Sequence, residues 1–147
     1  MKATLACMSL LRVLNNAMQC YDNDLEAFMI YMAVACASIG GAMRDLDLAL
    51  RVDGTAPEAF FRPVSRRAIA ASTGLPRETV RRKIAHMIEQ GYLVQERRGV
   101  RTRPGVLQER RNADFAAVLI REIERSSAEL TRVDRALEAL HEPVVHA

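Results

Sequence analysis

Ser65-Arg66-Arg67-Ala68-Ile69-Ala70-Ala71-Ser72-Thr73-Gly74-Leu75-Pro76-Arg77-Glu78-Thr79-Val80-Arg81-Arg82-Lys83-Ile84-Ala85-His86-Met87-Ile88-Glu89-Gln90-Gly91 is the stretch that decides the fold. Ser65 suits the N-cap of a short helix over 66–73, because its hydroxyl can accept from a free backbone N–H. Gly74 closes that helix, since glycine enters the left-handed region without a Cβ penalty. Pro76 stands where a new helix begins, with its missing N–H wasted on no bond. That second helix runs to about Gln90 and ends at Gly91. A short helix, a turn of about three residues and a longer helix make the helix-turn-helix layout. The internal spacing agrees. Ala70, Gly74 and Val80 stand at i, i+4 and i+10. The small residue lets the helices approach, the glycine makes the turn, and the β-branched side chain plugs the angle between them. Ile69 and Leu75 add the remaining contacts.

Working outward, Tyr92-Leu93-Val94-Gln95-Glu96 reads as a strand and Arg97-Arg98-Gly99 as a turn. Val100-Arg101-Thr102-Arg103 returns as a second strand before Pro104-Gly105. This is a two-stranded wing carrying Arg97, Arg98, Arg101 and Arg103. On the other side, Phe60-Phe61-Arg62-Pro63-Val64 reads as short and extended, because Pro63 biases its predecessor away from helix.

Residues 63–104 resemble winged helix-turn-helix transcription regulators. The run from Ala70 to Arg82 is similar to the matching segment of the MarR and GntR families. Ile84, Met87, Gly91, Leu93 and Val94 extend the likeness into the wing. The resemblance covers about a third of the chain. Total length, with helices on both sides, looks MarR-like; the wing has a GntR-like alternative. The resemblance implies a regulator that binds double-stranded DNA and dimerises through terminal helices, and cysteine usage without a disulfide framework makes the cytoplasm the expected compartment. The expected fold is mainly α with a small β-wing, flanked by N- and C-terminal helices. Its expected parts are residues 1–60 (helical, dimerising), 61–105 (DNA-binding) and 112–141 (a long helix).

The charge distribution points the same way. Residues 62–111 hold thirteen basic and four acidic side chains, whereas 1–61 and 112–147 each hold four basic and seven acidic. A basic centre on acidic flanks fits a polyanion-binding unit on a scaffold. On the longer helix, at about 100° per residue, Ile84 and Met87 fall within about 40° of Val80 and define the buried stripe. Glu78, Thr79, Arg82, Ala85 and His86 face outward. Recognition helices offer base edges their N-terminal part. Arg82, whose fork suits guanine, is the expected base reader, with Thr79 and Glu78 beside it. Arg77, Arg81 and Lys83 on the flanks are expected at phosphates, as are Ser65 and Arg66 at a helix start. The four wing arginines are expected at the backbone or a narrow minor groove.

Leu5, Met8, Leu11, Leu14 and Met18 give an amphipathic first helix over 3–20. Asp24 caps a second, from about Leu25 to Met43, apolar around most of its girth and loosened by Gly40-Gly41. Residues 45–52 fit either strand or helix, and 53–57 read as a loop. From Asp114 to Leu140 the chain has no Gly or Pro. Leu119, Ile123, Ser126, Leu130, Val133, Leu137 and Leu140 form a heptad seam with one polar defect. That seam fits a second copy or the chain's own N-terminal helices. Its length favours the second copy.

Other classes find less support. Cys7, Cys20 and Cys36 have neither disulfide-framework nor zinc spacing, so no cofactor or metal is expected. Ala27 to Met43 is uncharged for seventeen residues, short of a membrane span and interrupted by two glycines. His86, His141 and His146 have no nucleophile or paired carboxylate arranged around them, so no enzyme is expected. The alternative is a winged helix used for protein interaction or replication initiation. The Met-rich helices could also form a pocket for a small-molecule effector at their junction with the winged unit.

Overall fold

The computed structural model describes residues 1–40, 58–105 and 109–141. The ambiguous segment 45–52, the loop 53–57 and the expected end of the second helix at Met43 lie outside the described residues. The described chain is mainly helical with one two-stranded antiparallel sheet, a winged helix-turn-helix.

Helix α1 spans Lys2–Cys20 and α2 spans Leu25–Ile39. The corner between them is tight because Asp22 and Asn23 both adopt left-handed backbone, at φ 53° and 60°. Short polar side chains tolerate that region. Asp24 then caps α2, accepting from the Ala27 N–H at 2.9 Å. Helix α2 is the hub of the molecule and packs on α1, on both helices of the helix-turn-helix and on the wing. That explains why it is apolar nearly all round. Ile30, Tyr31, Val34 and Ala35 are buried along it. Tyr21, Phe28, Tyr31 and Phe115 form an aromatic cluster with ring centroids 5.1–6.0 Å apart.

A 3₁₀ turn at Glu58–Phe60 leads into extended chain, and Val64 bridges to Val100. Helix α3 spans Arg66–Thr73 and α4 spans Arg77–Glu89. Strands β1 (Leu93–Glu96) and β2 (Gly99–Thr102) pair with Leu93 opposite Thr102 and Glu96 opposite Gly99. Gly99 is needed there for space: a Cβ would overlap the Val64 carbonyl.

The last helix, α5, spans Arg110–His141, beginning two residues before the expected part at 112 and four before the seam's run at Asp114. It runs antiparallel to α1. Lys2 pairs with Asp134, the Ser9 and Ser126 hydroxyls are hydrogen-bonded at 2.5 Å, Arg12 meets Glu122 at 2.9 Å, and Tyr21 donates to Asn112 at 2.8 Å. The chain's own α1 therefore takes part of the heptad seam. Val133 is buried, Leu119 and Leu130 are half-buried, and Ile123 and Leu137 stay exposed. The side chain of Leu140 lies outside the described residues.

Candidate nucleic-acid interface

The helix-turn-helix is built as its local chemistry dictates. The Ser65 hydroxyl accepts from the Ala68 N–H at 3.2 Å and starts α3. Gly74, at φ 70°, ends it, and Gly91, at φ 77°, follows α4. Val80 and Ile84 are fully buried and Met87 nearly so. This stripe clamps α4 to α3, α2 and β1 and fixes which face looks outward. Thr79 is half-buried, while Glu78, Arg82, Ala85 and His86 are exposed.

The basic residues separate into two groups. Arg77, Arg82, Arg97 and Arg98 are exposed and make no ion pair or hydrogen bond among the described residues. The side chains of Arg62 and Arg67, at the entry to α3, are likewise exposed and unpaired among the described residues, although the Arg62 backbone N–H donates to the Ser38 carbonyl at 3.0 Å; the sequence reading did not single them out. A Pro-flanked arginine and one inside a short helix carry little positional signal by themselves. The second group is engaged. Arg81 is held by Glu78 at 2.6 Å, an exposed pair one helical turn long. The Arg81 guanidinium draws the Glu78 carboxyl below its ordinary pKa. Arg66 donates to Gln95 at 2.6 Å, tying the start of α3 to the wing. His86 lies 3.0 Å from Gln90 and 3.7 Å from Glu89.

Three basic residues depart from the expectation of free phosphate contact. Lys83 turns inward and pairs with Asp24, the cap of α2, and with Glu26 at 3.8 Å. Burial raises the Asp24 carboxyl, but the bonds from Lys83 and from the Ala27 N–H outweigh it and leave it lowered. Arg101 has a side chain only 7 % exposed, pinned between Glu96 and Glu58. Glu96 faces Gly99, so Arg101 is its diagonal neighbour across the hairpin. Arg103 donates to the Gly91 carbonyl at 3.0 Å and pairs with Glu109. The wing thus has two structural arginines at its base and two free ones, Arg97 and Arg98, at its tip.

The described part of the protein holds no group of three or more His, Cys, Asp or Glu arranged for a metal. No helix among the described residues is long and apolar enough to cross a membrane. The three cysteines are free thiols. The Met-rich helices do meet the winged unit in an open apolar groove of about 780 Å³, lined by Met29, Met32, Val64, Ala68 and Leu119 among others.

Residues 62–97 match the IclR helix-turn-helix domain. The match begins just before α3 and ends at the wing tip, covering about a quarter of the 147 residues. It supports a DNA-binding transcription regulator with a winged helix-turn-helix. The matching domain is the IclR type, and it does not single out the MarR arrangement expected from chain length. No curated protein and no solved structure matches the chain.

Proposed function

We propose that the protein is a sequence-specific, dimeric transcription regulator that sets α4, over residues 76–90, into the major groove. The wing, 92–103, lies against the backbone or minor groove. One observation carries this reading. Arg82 stands exposed and unpaired on the outward face of α4, beside Thr79 and Glu78, while Arg97 and Arg98 stand unpaired at the wing tip. An unpaired guanidinium gives up no internal partner when it meets a base edge or a phosphate. Arg77, with Arg62 and Arg67, supplies further free charge for the backbone. Ser65 and Arg66 border the same unit, although Arg66 must exchange Gln95 for a phosphate. Glu78 and Arg81 can act as a preformed pair whose carboxylate accepts from cytosine.

Residues 1–60 and 112–141 then serve as the platform for the 61–105 unit, and the flanking helices support a MarR-like arrangement. For dimerisation, the occupant of the free seam is a second copy. Leu10 (57 % exposed) and Ile123 (59 % exposed) line one apolar groove along α1 and α5. This groove shares Val13 with the larger one beside α2, so the two lie side by side along α1. An isologous contact through the α1–α5 groove places two α4 helices on a palindromic site. The test is footprinting on the gene's upstream region, together with sedimentation. Protection of two half-sites about 10 bp apart by a species of twice the monomer mass is expected. Leu10→Glu/Ile123→Glu gives a monomer that protects neither. A wild-type monomer at micromolar concentration contradicts the dimer, and absence of any protected site contradicts the operator.

A further inference from the structure

A second, smaller pocket lies where α2, α4 and α5 meet, with a volume of about 180 Å³. That is the bulk of about six waters at roughly 30 Å³ each, well below a drug-sized site. Its chemistry is unbalanced. Tyr31 lines it, is 98 % buried, and has a hydroxyl with no hydrogen-bond partner. Arg111 also lines it, and its Nε is buried without a partner. The Arg111 guanidinium carbon sits 4.3 Å from the Tyr92 ring centroid and 4.8 Å from that of Tyr21. Stacking uses the faces of the guanidinium and leaves its N–H edge to find acceptors. Arg111 makes no ion pair or hydrogen bond among the described residues. Interiors seldom leave such groups unsatisfied.

The acids nearby do not answer this need. Asp24 is engaged by Lys83 and by the Ala27 N–H, Asp22 is exposed at the rim, and Glu109, whose charge reaches the Tyr31 hydroxyl, is paired with Arg103. Tyr21 already donates to Asn112, and Gln90 is bonded to His86. Burial pushes the Tyr31 hydroxyl up, so it stays protonated and has a proton to donate. The Arg111 Nε–H is an unmet donor and the Tyr31 hydroxyl can donate or accept, so a ligand that offers acceptor atoms satisfies both. The remaining wall, from Ala27 and Met87 with the tyrosine rings, is apolar. Asp22 and Asp24 at the rim disfavour a doubly charged anion.

We propose that this pocket binds a small monocarboxylate with a short apolar tail, its oxygens held by the Arg111 edge and the Tyr31 hydroxyl. Lys83, His86 and Met87 of α4, Gln90 at its C-cap and Tyr92 before the wing also line the pocket, so the ligand braces the recognition helix against α2 and α5. That last consequence rests on the DNA-binding reading; carboxylate binding does not.

The test therefore uses no DNA. The full chain is titrated with sodium butyrate and followed by ¹H–¹⁵N spectra at constant ionic strength. Inorganic phosphate and n-butanol serve as separate probes. Saturable butyrate binding in the millimolar range is expected for so few atoms, with phosphate and butanol weaker. Arg111→Gln and Tyr31→Phe should each weaken it about tenfold or more, the loss of one hydrogen bond to a charged group. Without ligand, Tyr31→Phe should melt at or above the wild type, because the hydroxyl removed has no protein partner. Absent or non-saturable butyrate shifts overturn the proposal. So do tighter binding of phosphate or butanol, undiminished affinity in Tyr31→Phe, or a Tyr31→Phe protein that melts well below the wild type.

Discussion

Replacing Arg101 by alanine tests whether the wing arginines divide as the structure divides them. The Arg101 side chain is 7 % exposed and bonded to Glu96 and Glu58, whose side chains are 37 % and 71 % exposed. Breaking a fully buried pair costs about 3–5 kcal/mol. Here both carboxylates keep water, so no bare charge is left inside, and the Glu58 contact is worth no more than a surface pair, about 0–1 kcal/mol. The Glu96 bond, charge-assisted and mostly shielded, adds about 1.5–2 kcal/mol. A total of about 1.5–3 kcal/mol lowers the melting temperature by about 3–12 °C for a chain of this size. The paired assay is the salt dependence of duplex binding below the melting range. Arg101 contacts no phosphate, so Arg101→Ala leaves the slope of log K against log salt unchanged. Arg97→Ala and Arg98→Ala each reduce its magnitude by about 0.9 per protomer and melt within about 2 °C of the wild type. An Arg101→Ala protein that melts normally and flattens the slope as Arg97→Ala does would refute the division.

Two further outcomes follow from the geometry. Gly74→Ala meets open space and costs only the left-handed backbone, about 1–2 kcal/mol. Gly99→Ala should destabilise more and disturb the Val64–Val100 bridge in hydrogen exchange, because its Cβ overlaps the Val64 carbonyl. Asp24→Asn keeps a capping side chain but loses the Lys83 ion pair, about 1 kcal/mol for a half-exposed pair. The folded Asp24 pKa is lowered, so this contribution is present above the unfolded value of about 3.9 and is lost as pH falls through the folded one. Chemical denaturation should therefore show the gap between wild type and Asp24→Asn full at pH 7 and closing below about pH 4.

What the sequence could disclose was local. Ser65, Gly74, Pro76 and Gly91 punctuate the helices through their own backbone chemistry, and Val80, Ile84 and Met87 fix the buried stripe by spacing alone. The outward face follows without any long-range information. Partners far apart in the chain were not legible. Lys83 finds Asp24 and Arg101 finds Glu58 only once α2 and the 3₁₀ turn have packed, so both read as free charges in the sequence. The seam on α5 declares an apolar face but not which helix covers it. The antiparallel α1 takes one side and leaves Ile123 and Leu137 exposed. The pocket around Arg111 was invisible for the same reason: Tyr21, Tyr31, Tyr92 and Arg111 come from three helices and the lead into the wing.

Anisotropy titrations of a labelled duplex carrying the gene's own upstream region, beside a scrambled duplex, test the central claim most directly. They should be made near 0.15 M salt with wild type and Arg82→Ala. The account predicts tighter wild-type binding to the upstream duplex. Arg82→Ala should lose about 1–3 kcal/mol of that preference, roughly five- to 150-fold, with scrambled binding nearly unchanged. Equal wild-type affinity for both duplexes, or an Arg82→Ala protein that keeps the preference, would contradict α4 as the element that reads the sequence.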